Sequence, residues 1–474
     1  MSRSTDQTHA SETAQVPIAP VFGNVLDMIG NTPMIELRNL DTGPCQLFAK
    51  LESANPGNSI KDRIAIAMIE QAEQDGILKP GGHIFEATAG NTGIALALVA
   101  SQKGYKLTVV MPDKMSGEKI SHLRAMGAEV VLTRSDVEKG HPEYYQDMAQ
   151  RLADEKPGSF YVNQFGNHIN PQAHYTTTGP EIWQQMGGHV DAFVAGVGSG
   201  GTMTGCGRYL RENNPDIELI LADPEGSILT PLINCGETIK PGSWLVEGMG
   251  EDFVPDIFDI DLVTRGIWIP DKESLLTARE LLHKEGILAG SSTGCILAAA
   301  LKYCREQTQP KRVVTFICDS GAKYLSKMFN DFWMIDHGFI DRETYGDIRD
   351  LIARQHMNRE DYVLNPSTPL SQAIRNMQMY SVSQLAVVDE YDKVIGILDE
   401  SDILLAMAHD QSDCNRPVSD FMTRRLETIP PTASVNDLMP IFRADRVAIV
   451  SDGKHYYGLI TKIDLINHLR LQVS

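Results

Sequence analysis

The chain has 474 residues, too many for one small module and enough for about three domains at roughly 150 residues each. Hydrophobic residues make up 42% and charged residues 22%, which excludes a disordered or collagen-like chain and leaves ample apolar material for packed cores. With 42 Lys plus Arg against 62 Asp plus Glu the formal charge is -20, a field that repels phosphate backbones and anionic lipid, so neither nucleic acid nor a membrane is expected as a partner.

Residues 1–21 read as a polar, flexible leader: Met1 to Ala14 lacks the apolar core of a signal peptide, and Gly93 to Ala100 is too short to span a bilayer. The cysteines are scattered without a CxxC pair, which suits reduced thiols in a cytoplasmic setting and gives no reason to expect a metal site. From about Val25 to Asp336, short apolar or β-branched runs alternate with turns and stretches of helical period. That grammar predicts an α/β domain with mostly parallel sheet, helices on both faces, and ligands at the carboxyl ends of the strands.

The first chemical segment is Asn55 to Arg63, a turn running into an apolar helix from Ile64 to Gln71. A lysine buried there loses affinity for its proton and becomes nucleophilic, whereas the plainer reading of Lys61 is a surface residue at a helix start beside Asp62. Next, Glu86 to Gly93 follows a strand at His83 to Phe85 and precedes a helix at Ile94 to Ser101. Its small residues expose amides to a carboxylate, or simply make a tight turn capped by Thr92. A strand at Lys106 to Met111, a helix at Gly117 to Met126 and a strand at Ala128 to Leu132 continue the alternation. Gly198-Ser199-Gly200-Gly201-Thr202 then links the run Ala192 to Val197 to a helix at Met203 to Arg211, a nest for a phosphate held by dipoles. Finally Cys318-Asp319-Ser320-Gly321 puts a hydroxyl at a strand end, either for a ligand or as the N-cap of a helix from Ala322 to Phe329.

These segments, with Gly30 to Met34, Asn163 to Phe165 and Thr176 to Trp183, resemble in order and spacing the tryptophan-synthase-like, fold type II pyridoxal-phosphate enzymes. Within that family they look like the branch that holds cystathionine β-synthases and cysteine synthases. The resemblance implies two subdomains with mostly parallel open sheets. It makes Lys61 the lysine bonded to the cofactor and the catalytic base, Asn91 the partner of the ring 3-oxygen, Gly198 to Thr202 the phosphate loop, and Ser320 the neutral partner of the ring nitrogen. A hydroxyl there limits delocalisation into the ring and favours prompt loss of a β-substituent. Thr88, Ala89, Gly90, Thr92 and Gln164 would hold the substrate carboxylate, with Ala89 lacking the hydroxyl that Ser supplies in many members. Val246 to Pro255 resembles the cystathionine β-synthase branch, placing Gly248 and Glu251 at the substrate; many members have Tyr at position 251. Glu251 is expected to attract the ammonium of homocysteine.

Beyond a charged connector at 341–355 the chain repeats itself: Pro366 to Leu370 is echoed by Pro431 to Val435, Leu385 to Asp389 by Val447 to Ser451, and Gly396 to Asp402 by Gly458 to Asp464. Residues 356–474 resemble a pair of CBS domains, a Bateman module, whose family binds ribosyl ligands through a Ser/Thr and an Asp three residues later. Thr461 and Asp464 match that pattern; the first copy keeps Asp402 but has Asp399 where the hydroxyl belongs, which would repel a phosphate. S-adenosylmethionine, an adenine nucleotide or no ligand all fit, as does a pair of βα units that dimerises without ligand. The leader has His9 and no cysteine before Cys45, so no haem is expected. The expected organisation is a catalytic domain at 22–340 and a regulatory pair at 356–474, assembled as a homodimer or homotetramer. The expected reaction is condensation of L-serine with L-homocysteine to L-cystathionine, with hydrogen sulfide release as a side activity. The alternatives are a cysteine synthase using O-acetylserine and sulfide, and a nucleotide-sensing protein whose catalytic part has lost turnover.

Overall fold

A computed structural model describes residues 20–88, 90–113, 115, 117–137, 140–409 and 414–473, so Ala89 and His9 lie outside the described residues. The chain divides between Leu325 and Ser326 into two units. In chain order the first contains β1 (Met34–Glu36), β2 (Gln46–Leu51), α1 (Lys61–Gln74), β3 (His83–Ala87), α2 (Asn91–Lys103), β4 (Lys106–Pro112), α3 (Gly117–Ala125), β5 (Glu129–Thr133), α4 (Tyr145–Asp154), β6 (Ser159–Tyr161), α5 (Ile169–Ala173), α6 (Gly179–Gln185), β7 (Ala192–Gly196), α7 (Gly201–Asn213), β8 (Glu218–Pro224), α8 (Leu229–Cys235), β9 (Arg265–Ile269), α9 (Asp271–Glu285), α10 (Ser291–Arg305) and β10 (Arg312–Ile317). A single π-helical turn, His174–Thr178, joins α5 to α6.

Two sheets result, as the alternation predicts. One runs β1-β2-β10-β7-β8-β9 and is parallel apart from β1; the other runs β5-β4-β3-β6 and is parallel throughout. A parallel strand is covered on both faces, so it reads as continuous apolar sequence: every residue of β3 is buried. The covering helices must then be apolar over most of their surface, and α10 buries every residue from Ser291 to Leu301. One core joins Val194, Ile220, Cys295 and Tyr303 on one face of the larger sheet, a second joins Phe193, Phe316, Met203 and Leu210 on the other, and a third joins Ile84, Val109, Leu96 and Met68 around the smaller sheet. Each such aliphatic or aromatic side chain contributes about 1.5–3 kcal/mol by leaving water.

The second unit contains α11 (Asp331–Asp336), β11 (Val363–Leu364), α12 (Leu370–Tyr380), β12 (Gln384–Val388), β13 (Val394–Asp399), α13 (Glu400–His409), β14 (Thr428–Ile429), α14 (Val435–Arg443), β15 (Ala448–Ser451), β16 (Tyr456–Ile460) and α15 (Lys462–Val473). The duplication is carried into topology. In each copy a short strand pairs parallel with a second, which pairs antiparallel with a third, and the register slips at the corresponding place, Val387/Val388 and Val450/Ser451. Ala386, Val388 and Val394 of one copy pack with Ile449 and Tyr456 of the other.

Three expectations shift. The segment 341–355, read as an exposed connector, carries a 3₁₀ turn at Ile348–Leu351, and Ile348, Leu351 and Ile352 enter the core of the second repeat. Two apolar residues in a single tight turn and a third just after it show no helical period, so the surrounding charges dominate the sequence signal. Residues 326–340, expected in the catalytic domain, likewise group with the second unit. The helix expected from Ala322 to Phe329 is a 3₁₀ turn at Gly321–Tyr324, tightened where Lys323 and Tyr324 turn inward to Asn91 and Asp319.

Candidate active site

The chemistry gathers at the carboxyl ends of strands in both sheets. After β2 the chain turns through Asn58, at φ 62, and lies against the segment after β10: Ile60 N donates to Cys318 O at 2.9 Å, Ser320 N donates to Asn58 O at 3.3 Å, and Ser59 bridges Asp319. Lys61 therefore opens α1 beside Ser320. Two residues on, Arg63 locks the helix in place through Glu52 (2.7 and 2.9 Å) and both oxygens of Glu181 (2.7 Å each).

The Lys61 amine makes no hydrogen bond or ion pair with any described residue. Its side chain is densely surrounded yet keeps part of its area exposed, as expected of a group lining a narrow cleft. Burial lowers its pKa from the ordinary 10.5, and nearby Cys318, Asp319 and Glu251 oppose that shift only in part. The reading of Lys61 as a solvated surface residue is thereby set aside.

The loop after β3 meets the loop after β6. Thr92 Oγ1 donates to Gln164 Oε1 at 2.7 Å, Gln164 Nε2 donates to Ala87 O at 3.4 Å, and Gly90 N donates to Thr88 Oγ1 at 3.2 Å. Thr88, Gly90, Thr92 and Gln164 thus come together at the start of α2, whose first amides are unpaired within the helix; Ala89 lies outside the described residues. Glu86 beneath them is fully buried, and burial raises its carboxyl to about 8 while the amides of Gln164, Ala87 and Asn163 pull the other way.

Asn91 is clamped on both sides, its Nδ2 donating to Asp319 Oδ2 and its Oδ1 accepting from Lys323 Nζ, each at 2.8 Å. Tyr324 OH also donates to Asp319 Oδ2, at 2.9 Å, while the buried Asp319 Oδ1 has no partner. Ser320 does cap the following turn, its Oγ accepting from Ala322 N at 3.3 Å, but accepting leaves the hydroxyl proton available to a ligand.

The loop after β7 is built for close backbone approach. Gly200 sits at φ 87, where a side chain is strained, and a Cβ on Gly198 would lie 2.6 Å from Gly248 O. Ser199 and Thr202 flank the unpaired first amides of α7. Gly250 N donates to Val197 O at 2.9 Å, and the rings of Phe165 and Phe253 touch at 5.6 Å, which draws Gly248 and Glu251 to the same cleft. Glu251 is fixed through its backbone by Ser227 (3.1 and 3.2 Å). Burial, reinforced by Asp252 and Asp223, raises its carboxyl well above the carboxylate range, against the opposing charge of Lys61. Its position near Lys61 is the setting in which the expected attraction for an ammonium group would act.

Thr461 and Asp464 do meet in the second unit: Asp464 Oδ2 accepts from Thr461 N (2.7 Å) and Oγ1 (2.6 Å). Asp402 Oδ2 accepts from Asp399 N at 3.1 Å, and Asp402 N donates to Asp399 Oδ1 at 2.8 Å. Both pairs cap the helices that follow.

Several site residues carried no sequence signal. Asp319 and Glu247 lie inside segments that the sequence singles out but gives no role; Lys323 and Lys119 come to the site only through geometry. Lys119 pairs with Glu247 at 2.5 Å, 3% and 10% exposed, and its side chain stands where a Cβ on Gly90 would be. Asn170 and His174 reach the phosphate loop from α5 and the π turn.

The donor set suits pyridoxal phosphate. The Lys61 amine has no partner among the described residues, Ser320 keeps a free proton, and a loop that tolerates only glycine at three points leaves helix-start amides open to a phosphate.

Comparison with known proteins agrees. The family model described as pyridoxal-phosphate dependent enzyme matches residues 25–319, and that of the CBS domain matches 348–409 and 418–471. Cystathionine beta-synthase of Apis mellifera is 34% identical over 476 residues, 98% of this chain and 94% of the relative. Cysteine synthase A of Escherichia coli (strain K12) is 43% identical over 301 residues, 63% of this chain and 92% of the relative. The crystal structure of a hydrogen sulfide-producing enzyme from Fusobacterium nucleatum superposes with a TM-score of 0.60 at 39% identity, covering 64% of this chain and all of that one.

Proposed function

The chain belongs to the pyridoxal-phosphate-dependent enzymes, in the cystathionine beta-synthase branch, and from that premise we propose that it condenses L-serine with L-homocysteine to L-cystathionine and water. The observation that carries the reading is the Lys61 amine, half-buried, without a hydrogen-bond partner among the described residues and deprotonated more readily than an ordinary lysine. Pyridoxal phosphate, when bound, supplies an electrophilic carbon for the substrate amine and an electron sink beside the α-carbon. Gly198, Ser199, Gly200, Gly201 and Thr202 would hold its phosphate, Asn91 its 3-oxygen and Ser320 its ring nitrogen. Thr88, Gly90, Thr92 and Gln164 orient the serine carboxylate, and Ala89 of the same segment brings no hydroxyl to it. The freed Lys61 amine takes the α-proton and hands a proton to the departing β-hydroxyl, which leaves as water. The homocysteine thiol then gives its proton to the Lys61 amine as its sulfur bonds to the β-carbon, and the resulting Lys61 ammonium passes a proton to the α-carbon. Gly248 and Glu251 border the approach of homocysteine, Glu251 offering its carboxyl to the incoming ammonium.

With cysteine in place of serine the same exchange yields cystathionine and hydrogen sulfide. Cysteine synthesis from O-acetylserine and sulfide is the second reading, favoured by the higher identity to cysteine synthase A; the CBS pair and the full-length cystathionine beta-synthase relatives favour the first. Competitive turnover decides: the purified holoenzyme receives serine, homocysteine, O-acetylserine and sulfide together, and products are read by mass. Cystathionine in excess is expected; cysteine alone overturns the assignment.

The proposal extends to an adenosyl ligand at Thr461 and Asp464, where Asp464 Oδ1 is not used in the cap, with Asp402 as the counterpart in the first copy. It extends also to a homodimer or homotetramer, supported by the exposure of Leu404, Leu405, Ile463 and Ile466 on the equivalent helices α13 and α15. No helix among the described residues is long and apolar enough to cross a membrane. All seven cysteines are free, which supports a cytoplasmic setting.

A further inference from the structure

The phosphate loop contains two hydroxyls and no cationic side chain, so the orientation of each hydroxyl proton decides whether it attracts or repels a dianion. A hydroxyl that donates inward turns its lone pairs outward, against phosphate oxygens. Both hydroxyls are contacted from behind by side chains of α5 and the π turn. Asn170 Nδ2 lies 2.9 Å from Ser199 Oγ and 2.8 Å from Gln164 O, which can only accept, so the amide is fixed with its nitrogen toward Ser199. Ser199 must then accept, and its proton is free to point outward. His174, 1% exposed, places Nε2 at 3.2 Å from Thr202 Oγ1 and Nδ1 at 2.9 Å from Thr178 Oγ1.

We propose that Asn170 and His174 are positioning residues that hold the Ser199 and Thr202 hydroxyls as outward donors for the cofactor phosphate, His174 doing so with Nε2–H while Nδ1 accepts from the Thr178 hydroxyl. The inference rests on the pyridoxal-phosphate reading of the site. Burial, with the nearby charges of Arg63 and Lys61, keeps the His174 pKa well below 6.5, so the ring has one N–H to assign. The close approach is built into α7. A Cβ on Gly201 would fall on Asn170 Oδ1, and one on Gly205 would fall on the Pro171 carbonyl and lie 2.7 Å from His174 Cβ. The π turn then sets His174 facing the start of α7.

The test compares two ligands on the full-length chain freed of cofactor: pyridoxal phosphate, and pyridoxal, which lacks only the phosphate. Asn170→Ala and His174→Ala should each weaken pyridoxal phosphate about tenfold, the scale of one lost hydrogen bond to a charged group. Pyridoxal binding should stay within about twofold. His174→Gln, whose amide reaches where Nε2 stood, should recover most of the loss. Thr178→Val, which keeps the ring and removes the donor to Nδ1, should weaken pyridoxal phosphate selectively and guards against a misfolded alanine variant. Equal losses for both ligands, or no loss for either, would overturn the proposal. A wild-type chain that binds neither aldehyde at Lys61 would instead overturn the cofactor reading itself.

Discussion

Glu181→Gln removes one charge from a buried quartet and keeps its shape. Glu181 accepts from Arg63 Nη1 and Nη2 at 2.7 Å, pairs with Lys50 Nζ at 2.8 Å and accepts from Asn31 N at 3.0 Å. Side-chain exposures are 2% for Arg63, 0% for Lys50 and Glu52, and 15% for Glu181, so water screens little of this. Burial alone would raise the Glu181 carboxyl, but Arg63 and Lys50 hold it at about 2 against an ordinary 4.5. That difference corresponds to about 3 kcal/mol of folded-state stabilisation. Breaking a buried pair from one side gives the same scale, about 3–5 kcal/mol, because Arg63 and Lys50 are left facing Glu52 alone. The folded pKa is depressed, so the contribution is complete above about pH 4.5 and disappears as pH falls through 2. Urea unfolding of wild type and variant, followed by the fluorescence of Trp183 on the same helix, should show a midpoint drop of roughly 1 M at a slope near 3 kcal/mol/M. The gap should shrink to less than half by about pH 3. A loss under about 1 kcal/mol at pH 7, or a gap independent of pH, refutes the quartet as the anchor of α1.

In the cofactor-free chain, Lys61 should be acetylated at lower pH than an ordinary lysine, since burial lowers its pKa; mass mapping that finds half-maximal labelling at 10.5 or above contradicts the buried, unpaired amine. Lys61→Ala should lose activity by about 10²–10⁴-fold together with the visible absorbance of the holoenzyme. Glu251→Ala should raise the homocysteine KM several-fold and spare that for serine, and steady-state kinetics with an unchanged homocysteine KM would remove Glu251 from substrate binding. Ile352→Ala, at a fully buried position in the second repeat, should cost about 2–5 kcal/mol in the melting of the C-terminal unit; a negligible change would return 341–355 to the role of connector.

The α/β alternation and the order of the glycine-rich turns were legible because strand and helix periods and turn chemistry act over a few residues. Lys106–Pro112 and Gly201–Asn213 fall within one or two residues of where the pattern places each strand or helix. The tail duplication was equally plain, since a repeated βα unit must repeat its apolar spacing. What misled was short and irregular: the 3₁₀ turns at Ile348–Leu351 and Gly321–Tyr324 carry too few residues to show a period.

Local patterns along the chain determined the element types and the regulatory repeat, and the order of its motifs pointed to Lys61 and to residues 198–202 as candidates for the cofactor site. Which side chains meet was decided only when the crossovers closed. Asn91 finds Asp319 across 228 positions, Arg63 finds Glu181 across 118, and His174 finds Thr202 across a π turn that no local pattern announced. The reason is physical: parallel strands are joined through long connections, so the partners of a residue at a strand end come from remote segments, and their identity depends on sheet order and register rather than on sequence neighbours.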